Sequence, residues 1–109
     1  MIEFSKILSK VPDYKRYLSV DELNQSSKAL AKEHSNAVEL LQLGKTKGGN
    51  EIIGLKLGNG KHNALIYGYP NPEEPVGGLL CEYFAGALAE NEPFSKEMDY
   101  TWYIIKCID

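Results

Sequence analysis

Phe4, Ile7, Leu8 and Val11 recur at the 3, 1, 3 spacing of one helical face, and Pro12-Asp13 stops the short helix they predict. Residues 1–19 therefore read as an N-terminal brace. Ser19-Val20-Asp21-Glu22 has the form of a capping box, in which the Ser19 hydroxyl and the Glu22 carboxylate each satisfy a free backbone amide of the other. Leu23, Leu30 and Ala31 continue one apolar stripe, so a helix is expected over residues 21–33. Residues 38–43 and 52–57 are apolar runs containing β-branched side chains, separated by a loop at 44–50 that carries Gly48-Gly49. Two antiparallel strands joined by a hairpin follow. Gly58-Asn59-Gly60 is a second turn, and a third strand at 63–69 has an unbroken apolar run that predicts burial on both faces.

The segment after the third strand, Gly68-Tyr69-Pro70-Asn71-Pro72-Glu73-Glu74-Pro75-Val76-Gly77-Gly78, joins a strand end to a helix start. Pro75 suits the first helical position, where its missing N–H would have had no partner. Leu79, Leu80, Tyr83, Phe84, Ala87 and Leu88 make a helical stripe, and Gly77, Gly78 and Gly86 would let that helix approach a sheet closely. The aromatic and β-branched run at 100–108 predicts a final strand parallel to the third, joined to it by a right-handed crossover. Tyr100, Trp102 and Ile104 alternate there with Thr101, Tyr103 and Ile105, and are expected in the core rather than in a binding groove.

The expected class is α/β: a three-layer arrangement with a mixed β-sheet flanked by helices, in one domain spanning residues 1–109. A sheet ending on a buried strand reads as an incomplete domain. Ligands of open α/β sheets gather outside the carboxyl ends of the strands, which puts any site at residues 70–74 and at Ile108-Asp109.

Composition narrows the function. The chain has 109 residues, 43% hydrophobic and 25% charged, as expected of one soluble globular domain. Twelve basic against fifteen acidic residues give a net charge of −3 with no basic cluster, which argues against nucleic acid as a partner. The longest apolar stretch, 76–89, is broken by Glu82 and falls short of the roughly 20 residues a membrane helix needs. No basic and apolar leader opens the chain, so the cytoplasm is the expected location. Cys81 and Cys107 both lie in apolar stretches and read as small buried hydrophobes rather than as bridged or reactive thiols. No Gly-x-Ser-x-Gly elbow supports a serine hydrolase.

Asn71-Pro72-Glu73-Glu74 is the candidate chemistry: two adjacent carboxylates and an amide in a proline-stiffened loop. These oxygens could join a metal site, but zinc sites use at least three protein ligands, commonly His or Cys. The other reading leaves Glu73 solvated and Glu74 complementing the amino end of the next helix. His34 closes a helix and His62 follows a turn, positions read as structural, while Tyr14 and Tyr17 are expected as surface contacts.

From about residue 20 to 109 the chain resembles the N-terminal part of the zinc carboxypeptidase (metallocarboxypeptidase) family. The resemblance rests on Ala31-Lys32-Glu33-His34-Ser35, Leu43-Gly44-Lys45-Thr46, Gly48-Gly49-Asn50-Glu51-Ile52 and the segment 69–77, in that order and spacing. In that family the loop after the third strand carries His-x-x-Glu, whose His and Glu are two of three zinc ligands. Glu74-Pro75-Val76-Gly77 matches the Glu half, whereas Asn71 stands where the His would be. An amide offers zinc only a weak oxygen in place of a nitrogen lone pair, so affinity should fall. The resemblance implies a C-terminal peptide hydrolase in which zinc polarises the scissile carbonyl and activates water, with a Glu moving the proton. The family's third ligand, general base and substrate-carboxylate residues lie beyond the stretch matched, so this chain alone is expected to be inactive. The alternative is a non-catalytic binding or assembly module with a degenerate metal site, self-associating through an exposed sheet edge at residues 63–69.

Overall fold

A computed structural model describes residues 4–70, 73–90 and 92–108. Its elements, in chain order, are α1 (Phe4–Leu8), α2 (Val20–Glu33), β1 (Val38–Lys45), β2 (Glu51–Leu57), β3 (His62–Tyr67), α3 (Val76–Glu90), α4 (Glu92–Met98) and β4 (Tyr100–Ile105). The capping box forms as expected. Glu22 N–H donates to Ser19 Oγ at 3.1 Å and Ser19 N–H to Glu22 Oε1 at 3.0 Å. The α2 helix then buries Leu23 and Ser27.

The four strands form one mixed sheet in the order β1-β2-β4-β3. The β1–β2 hairpin is antiparallel, with a register shift between Gln42 and Gly44 that leaves Leu43 as an extra residue. β4 enters between β2, to which it is antiparallel, and β3, to which it is parallel. Cross-strand register puts Val38, Leu57, Trp102 and Ala64 in one row and Leu40, Leu55, Ile104 and Ile66 in the next, all on one face of the sheet. That face is covered. Val38, Leu55, Leu57, Trp102 and Ile104 pack with Cys81, Ala85 and Leu88 of α3 and Phe94 of α4 into the core. Phe84 links the helices to the sheet, edge-on to Trp102 at 4.9 Å and to Phe94 at 6.3 Å.

The α/β class and the mixed sheet are thus observed, and Trp102 and Ile104 are core residues as expected. The described residues supply two of the three expected layers, because the helices they form pack on that one face. Leu41, Leu65, Tyr103 and Ile105 fall on the other face, where an apolar depression also involves Leu43 and Gly54.

Three expectations need correction. The third strand is not buried on both faces: β3 is an edge strand, with Leu65 61% and Tyr67 51% exposed. An apolar run records what a strand is made of, not how many faces are covered. The stripe expected on α3 is also displaced. The buried positions are Gly78, Cys81, Ala85 and Leu88, whereas Leu80 is 67% exposed. Gly78, Cys81 and Ala85 put small side chains on the buried face and allow the close approach, with Leu88 and Phe84 the large residues packed beside them. Gly77 and Gly78 take part in it, but a Cβ on Gly86 would meet nothing within 4 Å. Finally, α4 was not foreseen, and the last strand ends at Ile105 rather than at 108.

Candidate functional site

The carboxyl ends of β3 and β4 are stitched together beyond the ladder itself. Gly68 N–H donates to Ile105 O at 2.8 Å, and Ile108 N–H donates to Gly68 O at 3.2 Å. Gly68 sits where only glycine fits, since a Cβ would lie 2.7 Å from backbone atoms of Gly77, Gly78 and Lys106. This one residue brings the end of β3, the start of α3 and the end of β4 into contact. Tyr69 follows with φ 55, a left-handed conformation that costs a non-glycine residue roughly 1–2 kcal/mol. Its ring compensates by lying against Gly78, and its hydroxyl donates to Leu18 O at 3.2 Å. Burial pushes the Tyr69 hydroxyl above its ordinary pKa of 10.0.

Pro70, Glu73 and Glu74 are exposed, and Pro75 is half-buried. Gly78 N–H donates to Pro75 O at 3.0 Å, closing the first turn of α3. Pro75 thus sits one residue before the helix proper, which begins at Val76, and the first turn itself contains no acidic residue. Asn71 lies outside the described residues, as does Asp109.

Neither histidine is brought to this end of the sheet. His62 opens β3, roughly 17 Å of strand away from Tyr67 at about 3.3 Å per residue, and its ring tilts against Tyr100 at 5.4 Å. His34 caps α2, donating its backbone N–H to Leu30 O at 2.9 Å, and its O accepts from Val38 N–H at the start of β1. Its Nε2 is buried without a hydrogen-bond partner among the described residues. Among those residues no three His, Cys, Asp or Glu side chains gather as a metal-binding group. Cys81 and Cys107 are buried and not disulfide-bonded, matching their reading as small hydrophobes. Burial raises the pKa of the Cys81 thiol, which makes it a poor nucleophile.

A buried polar cluster behind the junction was missed by sequence reasoning. Lys106, only 3% exposed, directs Nζ to Glu82 Oε2 at 2.7 Å, and Ser26 Oγ donates to Glu82 Oε1. The cluster ties α2, α3 and the end of β4 together. Burial pulls the Lys106 pKa down, while the Glu82 carboxylate opposes that shift. The available signal was one acidic residue in the apolar stretch 76–89 and one basic residue in the run 100–108, two charges that could each escape desolvation only by meeting.

Neither family sequence models nor curated protein sequences match the chain. Solved structures do match. Bovine thrombin-activatable fibrinolysis inhibitor in complex with tick carboxypeptidase inhibitor aligns with TM-score 0.77 and 18% identity, over 88% of this chain and 32% of that one. Carboxypeptidase A from Helicoverpa armigera aligns with TM-score 0.76 and 19% identity, over 94% and 28%. A metallo-carboxypeptidase from Burkholderia cenocepacia gives 0.73 and 17%, over 85% and 27%. The fold is therefore that of part of a metallocarboxypeptidase, and the chain spans about a third or less of the length of these structures.

Proposed function

We propose that the chain is a metallocarboxypeptidase-like domain in which Glu74 stands at a zinc-ligand position and Asn71 at that of the absent His, and that alone it hydrolyses no peptide. The supporting observation is the likeness of the fold to carboxypeptidase structures over 85% to 94% of the chain, with the Gly68–Tyr69 junction immediately preceding the Glu74 loop. In a complete relative the substrate would be the C-terminal end of a peptide.

The residues described do not fit a zinc ion by themselves. Two adjacent exposed carboxylates, with both histidines elsewhere, fall short of the three protein ligands such sites use. No catalytic step through a metal follows for this chain. What its own residues do is mechanical: Gly68 permits the contact of three backbones, and Tyr69 turns the chain as it leaves β3.

Calorimetric zinc titration tests the reading, with Glu74→Ala and Asn71→His beside the unaltered chain. Weak or absent binding, improved at least tenfold by Asn71→His and returned to the starting level by adding Glu74→Ala, is the expected result. Tight stoichiometric binding by the unaltered chain, or release of C-terminal residues from a blocked peptide, would overturn it.

A further inference from the structure

We propose that Asn59 is a site of spontaneous deamidation, and that its isoaspartyl product unlatches the amino end of β3 from β4. The site is the turn between β2 and β3, at the end of the sheet opposite the Glu74 loop, so the chemistry there is independent of whether Glu74 meets a metal.

The chain has seven asparagines, and Asn59 is the one followed by glycine. In such a pair the glycine nitrogen can reach the side-chain carbonyl carbon of the asparagine, because no Cβ stands in the way. Attack of Gly60 N on Asn59 Cγ forms a C–N bond and closes a five-membered succinimide. The Gly60 N–H proton is taken up by the side-chain NH2, which leaves as ammonia. Water, the only co-reactant, then adds to one of the two ring carbonyls and reopens the ring. One opening leaves an ordinary aspartate at position 59. The other leaves an isoaspartyl residue, whose backbone runs through the former side chain and is longer by one methylene group.

The turn leaves both reacting groups free and holds everything around them. Asn59 is exposed, and neither its side-chain amide nor the Gly60 N–H hydrogen-bonds to any described residue. Gly58, at φ 83, would put a Cβ 2.5 Å from Tyr100 O, and a Cβ on Gly60 would lie 2.0 Å from Asp99 C. Gly60 O accepts from Thr101 Oγ1 at 3.0 Å. His62 N–H donates to Asp99 O and Lys61 N–H to Asp99 Oδ1, both at 3.3 Å. The fit against Asp99 and Tyr100 forbids a side chain at position 60, so the fold itself requires the glycine that makes Asn59 reactive.

This clamp governs both the rate and the consequence. A succinimide fixes the 59–60 peptide in one geometry, and a clamped Gly60 has little freedom to reach it, so the reaction proceeds through local opening of the turn. Once the extra methylene is in place, positions 58 and 60 can no longer both keep their contacts with Asp99 and Tyr100. The new carboxylate also faces a like charge, since Asn59 and Asp99 line one small cavity, and only exposed Lys61, at 3.9 Å, offsets Asp99 among the described residues. Asp99 holds a left-handed φ of 55, a conformation that persists only while its surroundings enforce it. Release of the turn therefore frees Asp99 and the first rungs of the β3–β4 ladder, which begin at His62 and Tyr100.

Warm, mildly alkaline incubation of the purified chain tests this, because the attacking species is the deprotonated amide. Trypsin, cutting after Lys56 and Lys61, releases residues 57–61 as one peptide. Mass spectrometry of that peptide reads the exchange of NH2 for OH, and an isoaspartyl methyltransferase with a labelled methyl donor counts the lengthened backbones. Conversion at Asn59 should be at least tenfold faster than at any of the other six asparagines. Asn59→Gln, which would need a six-membered ring, should abolish methyl labelling at this turn. Thr101→Val, which removes the bond to Gly60 O, should speed conversion at least threefold. Amide hydrogen exchange at His62 should be at least tenfold faster in the isoaspartyl chain than in Asn59→Asp, which adds the charge without the methylene. No preference for Asn59, labelling unchanged by Asn59→Gln, conversion no faster in Thr101→Val, or equal exchange at His62 in the two chains would each overturn the proposal.

Discussion

Lys106 Nζ lies 2.7 Å from Glu82 Oε2, and this ion pair fastens the end of β4 to the middle of α3 with the lysine only 3% exposed. Removing one partner leaves the other charge buried and unpaired, whereas removing both leaves neither. Lys106→Met should destabilise the fold by about 3 kcal/mol, and the double variant Lys106→Met/Glu82→Leu by much less than the sum of the single changes. Thermal melts of the four proteins check this, at roughly 4–8 °C per kcal/mol for a domain of this size.

The same pair has a pH signature. The folded-state pKa of Lys106 lies below the ordinary 10.5, chiefly through burial, so between the two values the unfolded chain binds more protons. Lys106 should make stability rise with pH in the alkaline window below 10.5. Subtracting the melting curve series of Lys106→Met from that of the unaltered chain isolates the slope, and a flat difference would refute it.

Gly68 and Gly86 predict opposite outcomes of one substitution. Gly68→Ala forces a methyl group to within 2.7 Å of three backbone segments and should cost about 1–3 kcal/mol. Gly86→Ala meets nothing within 4 Å, lies inside α3, and should stabilise by roughly 0.5–1 kcal/mol. Chemical denaturation with unchanged m-values tests both.

At the amino end of α2, Ser19→Ala should cost about 1 kcal/mol by removing the cap. The Arg16 guanidinium, 2.7 and 2.8 Å from the Glu22 carboxylate, is the main cause holding the Glu22 pKa at about 2, with the Ser19 backbone N–H adding to it. A depressed carboxylate contributes its full stability above the ordinary value of 4.5 and loses it as pH falls toward 2. Glu22→Gln should remove that acid-side slope, which urea titrations at a series of pH values would measure.

Local patterns carried most of the fold. The Ser19–Glu22 box and the β1–β2 hairpin depend on neighbours in sequence, and both stand where the residues predict them. The edge position of β3 depends on what lies beside it, which an apolar run does not encode. The register of α3 was misread because the helix is apolar nearly all round, so large side chains suggested one face and close packing of Gly78, Cys81 and Ala85 selected another. The seven residues of α4 are too few to display a period. At the candidate site, the strand-to-helix junction could be read from Gly68 and Pro75, but the left-handed Tyr69 and the meeting of Lys106 with Glu82 arise only from the tertiary fold.

The strand order β1-β2-β4-β3 also sets a timetable. Among the described residues β3 hydrogen-bonds to no strand but β4, and about 40 residues of chain separate the end of one from the end of the other. At about 5–20 residues per second, a ribosome needs roughly 2–8 s to deliver the partner after the last residue of β3 is made. The nascent chain spends those seconds with a neutral, aggregation-prone segment unmatched, and a chaperone that holds extended apolar peptides would find its target there.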